Sequence, residues 1–256
     1  MSDLIKRLQF QKPHQSRHLI NPTREQVIEA ASTLSHHLFI ESDTNYQNIM
    51  SLKGWHELPN SWLTENQRHY INEGYVAKHW SDLWGTYNFH NFYKNLADWI
   101  RPGGRMVEIG TFHGRSIAHF AEMVRGKNVE IFSLDTYYQV HLSENCMRES
   151  TYYRNLRNFR SLGLLNEVQL VPTGSQNLGH VFKPESVDVV YIDGNHAKEA
   201  VDRDIAIYYP MVIPGGIISG HDYAPQHGVF EAVNQFFGAD KITVHPCTSW
   251  EFRKPL

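Results

Sequence analysis

Asp193 and His196 stand three residues apart in Tyr-Ile-Asp-Gly-Asn-His, directly after the apolar run Val187-Asp188-Val189-Val190. His221 and Asp222 form a second such group in Ser-Gly-His-Asp-Tyr, after another apolar run. Two hard carboxylate oxygens at neighbouring strand ends suit Mg²⁺ or Mn²⁺, with water and other oxygens completing the coordination. An imidazole beside such an ion can remove the proton from a hydroxyl whose pKa the ion has lowered. Taken one at a time, the groups have plainer readings. Asp193-Gly194 is a common turn pair, Asn195 can cap a helix, and Asp222 can form an Asx turn.

A second set surrounds a glycine loop. In Val-Glu-Ile-Gly-Thr-Phe-His-Gly-Arg-Ser, Glu108 precedes Gly110 and Gly114, and Thr111 and Ser116 lie in and just after the loop. Glycines let backbone approach a ligand, and a following helix start supplies unpaired N–H donors. The spacing lacks the third glycine of the dinucleotide fingerprint, which argues against NAD. The next apolar run ends at Asp135-Thr136, where a carboxylate can accept both hydroxyls of a ribose. Together these features indicate an adenosine-containing ligand without a pyrophosphate. A tight turn between strand and helix remains the plainer reading of the two glycines alone, with His113 as a spacer.

These groups need a scaffold that brings strand ends to one edge. From Arg105 onward, short apolar runs alternate with helical periodicities, the pattern of βαβ units and a parallel sheet. Strands are expected at Arg105–Ile109, Glu130–Leu134, Glu167–Val171, Val187–Ile192 and Ile217–Ser219. Ile117, Phe120, Ala121 and Val124 share one face of a helix that stops at Gly126. Further helices are expected over Phe89–Ile100, over His196–Met211 and after Asp222, with Pro214-Gly215-Gly216 as a helix-to-strand turn. An antiparallel hairpin near Ile242–His245 and Thr248–Phe252 would close the sheet. His196 would then start a helix, where the dipole disfavours imidazolium. A neutral ring there can act as a base.

Residues 1–88 are richer in Trp, Asn and His and hold one clear helix, opened by a Thr23/Gln26 capping box. They read as a helical cap that packs on the sheet domain, forms a dimer surface or walls a substrate pocket, with 89–256 as the ligand-binding domain. Tyr137–Tyr153 reads as a lid.

The motifs Val-Glu-Ile-Gly-Thr-Phe-His-Gly-Arg-Ser, Ser-Leu-Asp-Thr-Tyr-Tyr and Val-Pro-Thr-Gly-Ser-Gln-Asn-Leu, and above all the block Val187–Tyr223, resemble the class I S-adenosylmethionine-dependent methyltransferases. Within them the chain is most similar to the macrocin and mycinamicin sugar O-methyltransferases and the cephalosporin hydroxylase-like proteins. The likeness covers about Arg105 to Phe252. It implies an α/β, Rossmann-like, doubly wound, mostly parallel seven-stranded sheet with helices on both faces, joined to the N-terminal helical segment. It also implies S-adenosylmethionine as cofactor, with Glu108, Gly110 and Gly114 at its methionine portion, Asp135 at the ribose and Thr173-Gly174-Ser175 at the adenine. Thr111, Ser116, Thr136 and Asp193 complete the expected cofactor contacts. His196 matches the histidine assigned as base in the mycinamicin type, and Asp193 assists it. The sugar enzymes carry two adjacent acids after the fifth strand, where this chain has His221-Asp222. The expected metal set is therefore Asp193, His221 and Asp222, with His221 either a ligand or only part of the pocket lining.

Bulk composition narrows the classes. The 256 residues are 41% apolar and 20% charged, with 24 basic and 27 acidic side chains and a formal charge of −3. No run approaches the length of a membrane span, and no basic stripe suits a phosphate backbone. The two cysteines, Cys146 and Cys247, form no disulfide framework or metal motif, and the N-terminus lacks a secretory h-region. The expectation is a cytoplasmic enzyme acting on a small-molecule hydroxyl, without nucleic-acid or membrane partners and possible as a homo-oligomer. A NAD-linked oxidoreductase and a non-catalytic adenosyl-binding module are the competing readings.

Overall fold

The structure is a computed structural model that describes residues 76–137 and 151–256. The Thr23 capping box, Cys146 and the central part of the expected lid lie outside these residues. Seven strands form one sheet: β1 (Arg105–Ile109), β2 (Glu130–Asp135), β3 (Val168–Pro172), β4 (Val187–Ile192), β5 (Val212–Gly220), β6 (Thr243–Val244) and β7 (Trp250–Arg253). Their order is β3-β2-β1-β4-β5-β7-β6. The first five pair in parallel, and β7 pairs antiparallel with both β5 and β6. This is a Rossmann-like, mostly parallel α/β fold, with the expected antiparallel edge hairpin. No helix among the described residues is long and apolar enough to cross a membrane.

Among the described residues six α-helices accompany the sheet: α1 (His90–Trp99), α2 (Arg115–Met123), α3 (Thr151–Ser161), α4 (Ser175–Leu178), α5 (Lys198–Tyr208) and α6 (Gly228–Phe237). Side chains alternate faces along a strand, so each strand serves two cores. Val107, Ile109, Val190 and Ile192 pack with Val201 and Ile205 of α5 and with Val229 and Val233 of α6. Met106, Val189 and Tyr191 face the other way, onto Phe92 and Leu96 of α1, Ile117 and Phe120 of α2, and Phe159 of α3. Ala77, Leu83 and Phe89 belong to this second core, so the described end of the N-terminal segment is packed into the sheet domain.

Two expected boundaries move. Pro214, Gly215 and Gly216 lie inside β5 rather than before it, in a bulge that carries the pairing from Val187↔Val212 to Val189↔Ile217. Gly216 packs where a Cβ would lie 2.9 Å from the Asp188 carbonyl oxygen, so a turn-type sequence persists within the strand. The helix expected from His196 begins instead at Lys198, with Ala197 as its N-cap. Asn195 accepts a hydrogen bond from the Ala197 N–H at 2.9 Å, which turns the chain before the helix starts.

Register sets the edge where the site lies. Ile109 pairs with Ile192, Ile192 with Gly220, and Ile109 with Leu134. The segments that follow these residues therefore leave the sheet side by side, flanking the β1/β4 switch point where the winding reverses.

Candidate active site

A cavity of about 970 Å³ opens at this edge. Of the sequence-predicted residues it gathers Gly110, Thr111, Ser116, Asp135, Thr136, Gly174, Ser175, Asp193, His196, His221 and Asp222. Glu108 and Gly114 are not among its lining residues. Glu108 shares a strand face with Met106 and is turned toward α1 and α2, where it is 1% exposed. It accepts hydrogen bonds from Tyr93 and Ser116 at 2.7 and 2.8 Å and a further one from Ser133, whose hydroxyl also meets Thr111. Burial pushes the Glu108 carboxyl up to about 7, although these three donors favour its charged form.

The loop glycines answer to protein packing. Gly110 has φ of +100°, and a Cβ there would come within 2.1 Å of the Asp193 carbonyl oxygen. The loop thus lies directly on the end of β4, clasped by the Asp193 N–H donating to the Ile109 carbonyl at 2.7 Å. At Gly114, φ is +75° and a Cβ would meet the Phe159 ring at 2.6 Å. Asp135 receives the N–H groups of Phe112 and Tyr137 at 2.8 and 2.6 Å, one on each oxygen. The Thr111 N–H also acts on this carboxylate, which keeps lone-pair capacity for a ligand hydroxyl. Burial raises the Asp135 pKa against these backbone hydrogen bonds. Ser175 donates to Asp204, whose carboxyl burial lifts to about 6, and the Ser175 carbonyl accepts from Tyr208 at 2.7 Å.

At the ends of β4 and β5 two histidines flank the same two carboxylates. His196 Nε2 lies 3.1 Å from Asp222 Oδ2 and 3.8 Å from Asp193 Oδ1. His221 Nδ1 lies 3.3 and 3.9 Å from those same oxygens. The pair differs in surroundings: the His196 side chain is 41% exposed and that of His221 only 11%. His221 packs against the Phe89 ring at 4.5 Å between centroids, and its Nε2 is buried without a hydrogen-bond partner. Asp222 takes the left-handed conformation, φ +56°, a backbone state uncommon outside glycine that turns the chain sharply at the end of β5. Gly228 lets the start of α6 pack against residues 196–198, since a Cβ would fall 2.3 Å from the Lys198 nitrogen.

The expected neutral imidazole at His196 is not what this geometry favours. The Asp193 carboxylate 3.8 Å away, then the charge of Asp222, raises the pKa above the ordinary histidine value despite burial. His196 precedes the helix, so nearby carboxylates rather than the dipole set its charge. At His221 burial acts downward, but the Asp222 hydrogen bond and the Asp193 charge carry the net shift upward. Asp222 is correspondingly lowered, chiefly by its hydrogen bond to His221.

Donor atoms of Asp193, His196 and Asp222 lie within 4.8 Å of one another, and His221 Nδ1 offers a fourth position. Two carboxylates with imidazole nitrogen suit a first-row divalent ion such as Mn²⁺, as well as Mg²⁺. The residues present therefore fit a cation.

Several lining residues escape motif reading: Trp84, Phe89, Phe112, Arg115, Arg203 and Asp204. Ala200, Arg203 and Asp204 follow helical spacing, so one face of α5 borders the cavity, a signal the periodicity carried. The Trp84–Phe89 wall had no such signal, because nothing local says which aromatic side chain meets the sheet edge.

Comparison with known proteins agrees with the fold. Residues 107–223 match the family described as a methyltransferase domain. An uncharacterized protein of Acanthamoeba polyphaga mimivirus is 28% identical over 162 residues, covering 59% of this chain and 67% of its own. The O-methyltransferase NovP superposes with a TM-score of 0.53 at 16% identity, covering 65% of this chain and 79% of NovP. A candidate caffeoyl-CoA O-methyltransferase from Staphylococcus aureus gives 0.51 at 13% identity, covering 68% and 86%. A candidate rRNA methylase from Clostridium thermocellum gives 0.50 at 17%, covering 67% and 100%. At such identities the structural likeness concerns the fold alone.

Proposed function

We propose that the protein transfers a methyl group from S-adenosylmethionine to a hydroxyl of a small molecule, with a divalent cation at Asp193, Asp222 and His221. One observation carries this reading: a single cavity brings the Asp135 carboxylate and the Gly174-Ser175 turn together with the acid–histidine cluster. The bound donor supplies an electrophilic methyl on a sulfonium, and a bound cation lowers the pKa of the hydroxyl.

The chain's own residues do the rest. Asp135 holds ribose hydroxyls through its remaining lone pairs, and the Thr173–Ser175 turn borders the base. His196, the more exposed of the two histidines, would accept the hydroxyl proton at Nε2 from the neutral form that a cation on the neighbouring carboxylates favours, and Asp222 Oδ2 at 3.1 Å would stabilise the imidazolium that results. His221 is the buried and fixed partner, suited to holding rather than to proton exchange. If His196 Nε2 served instead as a ligand, that atom could not also take a proton, and the two histidines would exchange roles.

Thermal shift and mass spectrometry test the proposal. S-adenosylhomocysteine at a hundredfold its Kd is expected to stabilise the protein by about 2.7 kcal/mol, with no response to NADH. The reverse pattern would favour the oxidoreductase reading. EDTA is expected to abolish methylation, and Mn²⁺ or Mg²⁺ to restore it. Donor binding without EDTA-sensitive turnover across a broad acceptor panel would leave a binding module.

A further inference from the structure

We infer that Arg115 anchors a carboxylate on the methyl acceptor, in a slot walled by the rings of Trp84 and Phe112; the inference rests on the methyltransferase reading above. Arg101, Arg105, Arg125 and Arg253 each lie within 3.2 Å of a carboxylate, at 2.6, 2.6, 3.2 and 2.7 Å. Arg115 lines the cavity and forms no such pair among the described residues. Its Nη1 donates to the Gly85 carbonyl at 2.8 Å, while its Nε is buried with no acceptor. Burial works against its charge, and Tyr87 and then Asp82 work for it. Asp82 is already engaged, accepting from the backbone N–H groups of Lys78 and His79 at 3.0 Å each. A guanidinium remains charged at any physiological pH, so a partly desolvated one that lines a cavity, with the Trp80 ring at 6.0 Å and no carboxylate paired to it among the described residues, is a site that an anion completes.

The surroundings specify the anion's carrier. Gly85 lies against the Phe112 ring, where a Cβ would approach to 3.2 Å, and the Trp84 ring stands 5.0 Å from both Phe112 and His113. Arg115 is tied to this aromatic wall through Gly85. Phe89, another ring lining the same cavity, contacts His221 of the acid–histidine cluster at 4.5 Å between centroids. Arg115 and His196 line one cavity, so a flat aromatic acid held by Arg115 would present a hydroxyl toward His196. The donor's own carboxylate is the rival source of the anion, and the experiment separates the two.

With the full-length protein saturated in S-adenosylhomocysteine, calorimetric titration compares 3,4-dihydroxybenzoate with its neutral amide. The acid is expected to bind at least about tenfold more tightly, as a charge-assisted guanidinium contact gives. Arg115→Met is expected to erase that preference while leaving S-adenosylhomocysteine affinity within about threefold, since less than 1 kcal/mol separates such values. Should that variant lose its cooperative melt, Arg115→Gln keeps a donor for the Gly85 carbonyl and serves the same comparison. Equal binding of acid and amide, or a preference that survives both substitutions, overturns the inference. So does weakened S-adenosylhomocysteine binding in the variants, which would assign the cation to the donor. Failure of the unaltered protein to bind S-adenosylhomocysteine at all removes the methyltransferase reading itself, a result distinct from losing the acid preference in a protein that binds it.

Discussion

Two carboxyl-bearing regions lie on either side of the β1 loop and behave oppositely. Beneath the loop, Glu108 is enclosed between sheet and helices, both oxygens are hydrogen-bonded to hydroxyls, and burial raises its pKa to about 7. At the ends of β4 and β5, Asp222 is only half-buried, two histidines adjoin it, and its pKa is lowered. Hydroxyl donors keep a buried acid in place without supplying charge, whereas imidazoles let an acid stay ionised and leave it able to hold a cation or an imidazolium. The first arrangement stiffens the floor of the site. The second remains chemically open.

The largest expected effect comes from the open region. His196→Ala is expected to slow methyl transfer about 100- to 10,000-fold, the usual contribution of a positioned base, while S-adenosylhomocysteine still binds. Undiminished methylation by mass spectrometry would remove His196 from the chemistry. At the seam between the regions, Gly110→Ala forces a Cβ onto the Asp193 carbonyl at a positive φ. It is expected to cost roughly 2–5 kcal/mol in denaturant unfolding, combining overpacking with backbone strain.

The closed region has a pH signature. Because folding raises the Glu108 pKa from 4.5 to about 7, its stabilising contribution is present below pH 4.5 and is lost as pH climbs to about 7. His113, held down to about 3 by burial, works in the opposite sense and lowers stability as pH falls below 6.5. The difference between the unaltered protein and Glu108→Gln isolates the first term. Glu108→Gln is expected to gain on the order of 3 kcal/mol relative to the original between pH 4.5 and 8, seen as converging or crossing melting curves. Parallel curves would show that Glu108 is not the buried acid described. The smallest effect is expected at His227, whose Nε2 is 3.9 Å from Asp222 at the rim of the cluster. His227→Gln should change turnover less than about threefold, as a loosely spaced and partly solvated charge contact allows; a larger loss would extend the open region to α6.

Legibility in the sequence tracked the range of the forces involved. The strand β4 was readable to the residue, because a run buried on both faces is apolar apart from Asp188, which is paired with Arg101 and the Arg105 N–H. The start of β5 was read five residues late, since Pro214-Gly215-Gly216 carries a turn signal that β4 overrides by accommodating a bulge. The acid–histidine cluster was legible as two motifs one crossover apart. The alternation that turns Glu108 to the same face as Met106 was also present, but the motif drew attention to the loop instead. The protonation of His196 was misread, because it depends on Asp193 and Asp222 rather than on the helix that follows.

Residue order alone thus settles which segments become strands and helices, and that Asp135, Asp193 and Asp222 each come to the end of a strand, because periodicity and turn chemistry act over a few neighbours. Tertiary structure alone decides that the two histidines flank one pair of oxygens, that Gly110 rests on the Asp193 carbonyl, and that Arg115 lines the cavity with no carboxylate paired to it among the described residues. Those facts depend on strand register and on packing between residues far apart in the chain, where displacements of a few ångströms separate an ion pair from an unpaired charge.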